Sequence, residues 1–157
     1  MHRTSNVFPR VTDRDLPFAA HASGASIWDS SGKRYLDGSG GAIVVGVGHG
    51  DQQIIEAMTG QARDIAYAHG TQFTTEALER YAARVAPLLP LDEARIYPVS
   101  GGSEAVETAL KIARTYHVAT GRSSKHKVIA RLGSYHGNTR GALDASGRAA
   151  LRRPYSA

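Results

Sequence analysis

The sequence predicts an α/β fold, and three observations carry the prediction. A strand, turn, helix, strand pattern occupies residues 96–132; two stretches further upstream place apolar residues at helical spacing; and the composition is that of a folded domain. With 157 residues, 41% hydrophobic and 21% charged, the chain is long enough for one domain and is neither disordered nor fibrous in character.

The elements follow in order. "SIWDSSGKRYLDG" (26–38) reads as two short strands, with Ile27, Trp28, Tyr35 and Leu36 as apolar members, joined by a Ser-Ser-Gly turn that supplies a positive φ. "AIVVGVG" (42–48) reads as a short buried run. In 52–67, Ile54, Ile55, Met58, Ala62 and Ile65 recur at helical spacing; in 74–89, Leu78, Tyr81, Ala82, Val85 and Leu89 do the same behind a capping Thr74 or Thr75, with Pro87 and Pro90 closing the segment.

Ile96–Val99 is strand-like, with Pro98 tolerable only at an edge, an end or a bulge. The best helical pattern comes next: Val106, Ala109, Leu110, Ala113 and His117 lie on one stripe, Glu107 is spaced to pair with Lys111, and Gly121 is a natural stop. "KVIARL" (127–132) is a second strand, so a right-handed βαβ unit with a parallel strand pair is expected.

In such a unit a ligand is expected beyond the carboxyl ends of the strands, where a helix start offers free amides and partial positive charge. "SGGS" (100–103) lies at that point. Gly101 and Gly102 admit an anion close to the backbone, and the Ser100 and Ser103 hydroxyls add donors. Ser and Gly also open helices that bind nothing, and Glu104 and Glu107 suit a first turn through the macrodipole alone. Both readings stay open on the turn by itself. "GSYHGNT" (133–139) follows the second strand and is expected at the same sheet edge; Tyr135 offers a flat ring face and Gly137 a close backbone approach. The pair describes a site for a planar ring that carries a phosphate.

Other chemistries find less. No Gly-Lys-Ser/Thr follows the glycines, so the turn is not a Walker A loop, and "GVGHG" (46–50) has Asp51 where a dinucleotide fingerprint needs its third glycine. The net charge of +5 comes from scattered basic residues without interleaved aromatics, which argues against a nucleic-acid partner. The seven histidines show no spacing with acids that suggests a metal site. No cysteine, no leader-like segment and no apolar run of bilayer length are present, so a cytoplasmic protein without a membrane partner is expected.

Taken together, "WDSSGKRYLDGSGG" (28–41), "GVGHGDQQIIEAMTGQ" (46–61), "SGGSEAVETALKIAR" (100–114) and "GSYHGNTRGALDASG" (133–147) resemble the class-III, or ω-amino-acid type, pyridoxal-phosphate-dependent aminotransferases, in the family's order and approximate spacing. The resemblance covers the chain from about Gly24. It implies the N-terminal part of the aspartate-aminotransferase-like (fold-type I) architecture with an incomplete large-domain sheet: residues 1–50 as a small-domain segment with the hairpin, 51–157 as the start of the cofactor-binding domain. It also implies that pyridoxal 5'-phosphate binds with its phosphate on Gly102 and Ser103, beside Ser100 and Gly101, and its ring on Tyr135, with His136 and Gly137 adjacent. Gly40, Gly41 and the segment 69–75 are implied toward the substrate side or a dimer interface. The implied substrates are an amine or amino acid and a 2-oxo acid, and the implied assembly is a homodimer.

In the family a lysine forms a Schiff base with the cofactor and an aspartate faces the pyridine nitrogen, both well downstream of the Tyr-His-Gly turn. Lys33, Lys111, Lys125 and Lys127 do not match that lysine, and Asp144 does not match the aspartate. The resemblance therefore implies no catalytic residue in this chain and a polypeptide inactive on its own, from a truncated gene, a split gene or a cut chain. Pro98 departs from the aromatic or polar residue usual before the phosphate turn. The alternatives are a non-catalytic remnant, a split-enzyme half that acts only by association, or an aminomutase of the same superfamily.

Overall fold

The computed structural model describes residues 6–155. They form two compact units, one running to Glu79 and one starting at Arg80.

The first unit is built on a three-stranded antiparallel sheet of β1 (Ala19–Ser23), β2 (Ser26–Asp29) and β3 (Arg34–Leu36), in that order. The expected hairpin is β2–β3, with Ile27 opposite Tyr35. Asp29 folds its turn: Oδ1 accepts from the amides of Ser31 and Lys33 and from the Ser31 hydroxyl, and Oδ2 accepts from the Tyr35 phenol at 2.8 Å. Gly32 takes the positive φ, 83°. β1 is an element the sequence does not announce, since "AAHAS" carries no alternation; it is held by pairing with β2 and by His21 stacking on Trp28 at 4.7 Å.

The buried run expected at 42–48 is not there. Residues 40–43 form a distorted turn, α1 (Gly40–Ile43), and Ile43, Val44 and Val47 are exposed. Positive φ angles at Gly40, Gly41 and Gly48 break any ladder, and Ile43 itself sits at φ 61°, a strained position for a β-branched residue. Among the described residues, the strand pairing nearby is a reciprocal Gly24–His49 bridge of 2.9 and 2.8 Å. α2 (Gln52–Asp64) is capped by Asp51, whose carboxylate accepts from the Ile54 amide, and ends before the predicted boundary because Ile65 is extended. Of the two candidate caps ahead of α3 (Glu76–Val85), Thr75 accepts from the Leu78 amide while the Thr74 hydroxyl donates to Glu79. A 3-10 turn at Ala86–Leu88 follows, and Pro87 limits the helix as expected.

In the second unit α4 (Gly102–Ala119) is the longest helix. Its C-terminal turn is a Schellman motif: Gly121, at φ 74°, donates to Val118 and Arg122 donates to His117. The flanking segments 96–99 and 127–132 were expected as parallel strands, yet among the described residues neither joins a hydrogen-bonded ladder. A strand exists only with a neighbour, and Pro98 removes one donor from the first segment. Two short helices, α5 (Arg140–Asp144) and α6 (Ala149–Arg152), complete the unit. What core it has lies here, with Ala142, Leu143 and Ser146 buried. Among the described residues no helix is long and apolar enough to cross a membrane, and no group of three His, Asp or Glu side chains converges as a metal site.

Candidate functional site

The site is built where the start of α4 meets the loop 133–147. Gly101, the residue before the helix, is fully extended (φ −168°, ψ 171°), and no side chain caps the first amides. Gly102 opens onto space: a Cβ there would have no neighbour within 4 Å. At Gly101 a Cβ would stand 2.7 Å from a Glu104 carboxylate oxygen, so the glycine leaves room for that side chain to fold back over the turn. Ser100 lies in an exposed bend just ahead.

The loop comes onto the helix at two points one turn apart. Ser103 Oγ accepts from the Asn138 amide at 2.8 Å, and buried Gly137 packs against Ser103 so closely that a Cβ would stand 2.6 Å from that oxygen and 2.9 Å from Ala142 Cβ. Four residues along, Glu107 Oε1 accepts from the amides of Gly141 (2.8 Å) and Ala142 (3.3 Å). The expected Glu107–Lys111 pair is thus replaced: backbone donors hold the carboxylate, and Lys111 adds only a distant charge. The Thr139 hydroxyl, then the two amides, hold the Glu107 carboxyl below the ordinary carboxylate range against the opposing effect of burial. Thr139 acts by proximity, since its buried Oγ1 completes no hydrogen bond of regular geometry.

The loop is also tied to itself. Gly133 donates to the Gly147 carbonyl and Gly147 to that of Ser134, both at 3.1 Å, closing the loop at its base. Inside, the Ser146 hydroxyl accepts from the His136 amide (2.9 Å) and donates to the Ala142 carbonyl (2.8 Å). Gly147 is required because any Cβ would run into the Arg131 carbonyl. Tyr135 emerges from this frame half-exposed, with the Arg148 guanidinium 5.5 Å from its ring centre, while Arg148 Nε donates to the Gly133 carbonyl. His136 is exposed and held through its backbone.

Of the sequence-predicted residues, the structure brings Ser103 and Gly137 into contact, sets Gly101 and Gly102 in the same turn, and places Tyr135 and His136 on the docked loop. Gly40 and Gly41 belong to the first unit, where the Gly41 amide donates to Asp37, which in turn pairs with His49 at 2.9 Å. That pair, and the roles of Glu107, Asn138 and Ser146, escape sequence reasoning; the one available signal is that Glu107 lies four residues after Ser103, on the same face of α4.

Farther along α4, Leu110, Ala113 and His117 line a groove of about 400 Å³ with Lys125 and Val128. His117 Nδ1 is buried there without a hydrogen-bond partner, and burial, then the charges of Arg122, Lys125 and Arg114, push the imidazole below its ordinary pKa.

Comparison with known proteins supplies a context for this geometry. The class-III aminotransferase family model matches residues 8–155. The chain is 41% identical over 131 residues to the uncharacterized aminotransferase YodT of Bacillus subtilis, covering 83% of this chain and 30% of that protein. It is 40% identical over 139 residues to the probable aminotransferase Rv3329 of Mycobacterium tuberculosis, covering 88% and 30% respectively. Among solved structures, an (S)-enantioselective ω-transaminase from Thermomicrobium roseum matches with a TM-score of 0.85 at 31% identity, over 98% of this chain and 36% of that one. A transaminase from a marine Virgibacillus matches with a TM-score of 0.87 at 27% identity, over 94% and 35%. The expected α/β class is therefore that of a portion of the transaminase fold, and the chain spans about a third of the length of these relatives.

Proposed function

Because the chain belongs to the class-III aminotransferases, we infer that it is the N-terminal portion of a pyridoxal-phosphate-dependent transaminase, moving an amino group from an amine or amino acid to a 2-oxo acid. The observation that carries the reading is the contact between the uncapped start of α4 and the loop bearing Tyr135.

The residues fit the cofactor. The amides of Gly102 and Ser103, at the positive end of α4 where no side chain caps them, would hold the phosphate, and the open space over Gly102 would admit it. Since Ser103 Oγ already accepts from Asn138, its own proton is free to donate to the anion. Tyr135 offers ring surface for the pyridine, and His136 and Gly137 are the proposed residues beside it. When bound, the cofactor supplies an electron-withdrawing ring that takes up negative charge developing beside the substrate nitrogen. Gly40 and Gly41 are the proposed substrate-side residues.

None of the four lysines stands in the turn or the loop. Lys33 lies over the Tyr35 ring at 4.9 Å, Lys111 is on α4, and Lys125 and Lys127 line the groove beyond. On this reading the lysine-dependent step belongs to the remaining two-thirds of the family's length, and this chain alone performs no transamination.

Pyridoxamine 5'-phosphate tests the site, since it lacks the aldehyde that would react with surface lysines. Titrated against the full chain and followed by amide chemical shifts, it is expected to perturb Gly102, Ser103 and Tyr135, and pyridoxamine without phosphate is expected to bind far more weakly. Equal binding of both, or shifts elsewhere, would overturn the assignment.

A further inference from the structure

We infer that Glu107 is a positioning residue for the cofactor: by holding the amides of Gly141 and Ala142 it sets the separation between the phosphate turn and the ring-bearing Tyr135. The inference rests on the cofactor reading given above. A ligand with a phosphate at one end and a ring at the other needs both ends of its site at a set spacing. Here the phosphate end is the start of α4 and the ring end is a loop, and among the described residues the helix side chains that hydrogen-bond the loop are Ser103 and Glu107. Ser103 holds Asn138 at 2.8 Å, and Glu107, on the next turn, holds Gly141 at 2.8 Å.

The two contacts differ in what they can do. Ser103 is itself proposed to touch the phosphate, so its hydroxyl serves the ligand and the loop together. Glu107 has no such second duty: its carboxylate faces the loop amides. The fit around it is close, since a Cβ at Gly141 would stand 2.6 Å from one carboxylate oxygen and 2.8 Å from the other. Two backbone amides converge on this carboxylate, with the Thr139 hydroxyl close by, and charge-assisted bonds of this kind are the strong ones. Asn138 and Gly141 are thus both held, and the hold extends to the residue beside Tyr135, because the Ala142 carbonyl accepts from the Ser146 hydroxyl, which in turn accepts from the His136 amide.

The full chain carrying Glu107→Ala, with Glu107→Gln as the conservative partner, tests this. Glutamine keeps an oxygen to accept from Gly141 and adds an N–H that can donate to the unpartnered Thr139 oxygen. The readout is the preference for pyridoxamine 5'-phosphate over inorganic phosphate. Ring stacking gives the native chain roughly a two- to tenfold preference. Glu107→Ala is expected to bind inorganic phosphate as the native chain does while the preference falls to about one, with faster amide exchange at His136 and Asn138; Glu107→Gln is expected to restore both. If Glu107→Ala retains the preference, the positioning role is overturned, even where exchange quickens. If the native chain itself shows no preference, it is the cofactor reading that fails, and the inference falls with it.

Discussion

At the scale of single residues, Asp29 shows how much one short side chain organises. It takes four hydrogen bonds from residues 31 to 35 of the hairpin, and the Ser31 hydroxyl first, then the Tyr35 phenol, lower its pKa from 3.8 to about 2. A carboxyl depressed in the folded state stabilises it above the unfolded pKa and loses that contribution as pH falls through the folded value. The hairpin should therefore hold above pH 4 and loosen between about 4 and 2. The single tryptophan, Trp28, lies next in the strand and reports the event by its fluorescence. Asp29→Asn is expected to flatten that acid transition; an unchanged titration in the variant would assign it to another group.

At the scale of elements, the docking of the loop 133–147 onto α4 turns on Gly137, at φ 140° and pressed against Ser103. Gly137→Ala both strains the backbone and intrudes on Ser103 and Ala142, and should cost about 1–3 kcal/mol of loop docking. The check is amide exchange: protection lost from residue 134 to 146, kept along the far turns of α4. This loop also shows what the sequence reveals and what it hides. Helices α2, α3 and α4 were legible because their apolar spacing, threonine cap and stop at Gly121 are local signals. The turn at 100–103 and the Tyr-His-Gly segment stand out as candidate site residues for the same reason. The contacts between them were not, because Glu107 to Gly141 spans 34 residues and the shorter pairing with Lys111 was available on paper. α5 and α6 were missed because runs such as "GALD" and "AALR" are too short to display a period. The strands at 96–99 and 127–132 failed on a different ground, since a ladder depends on a neighbour that no local pattern supplies.

At the scale of the whole molecule, exposed apolar side chains in both units decide. Phe8, Ile43, Ile129 and Leu132 are more than nine-tenths exposed. This favours a chain that is completed by the rest of the family's length over an independent module. By itself the polypeptide should bind a hydrophobic dye and melt without a sharp transition. A single cooperative endotherm near the ~0.7 kcal/mol per residue of ordinary globular proteins would refute that expectation.

The groove along α4 gives that completion a built-in signal. His117 stands in it with a buried nitrogen that no group satisfies, among positive charges. Any segment that settled there and offered a carbonyl or carboxylate oxygen would relieve the imidazole, raise its pKa and move its ring-proton resonance. His117 is a spectroscopic sentinel: recording its titration while candidate segments are added distinguishes a polypeptide that fills the groove from one that merely adheres to the surface.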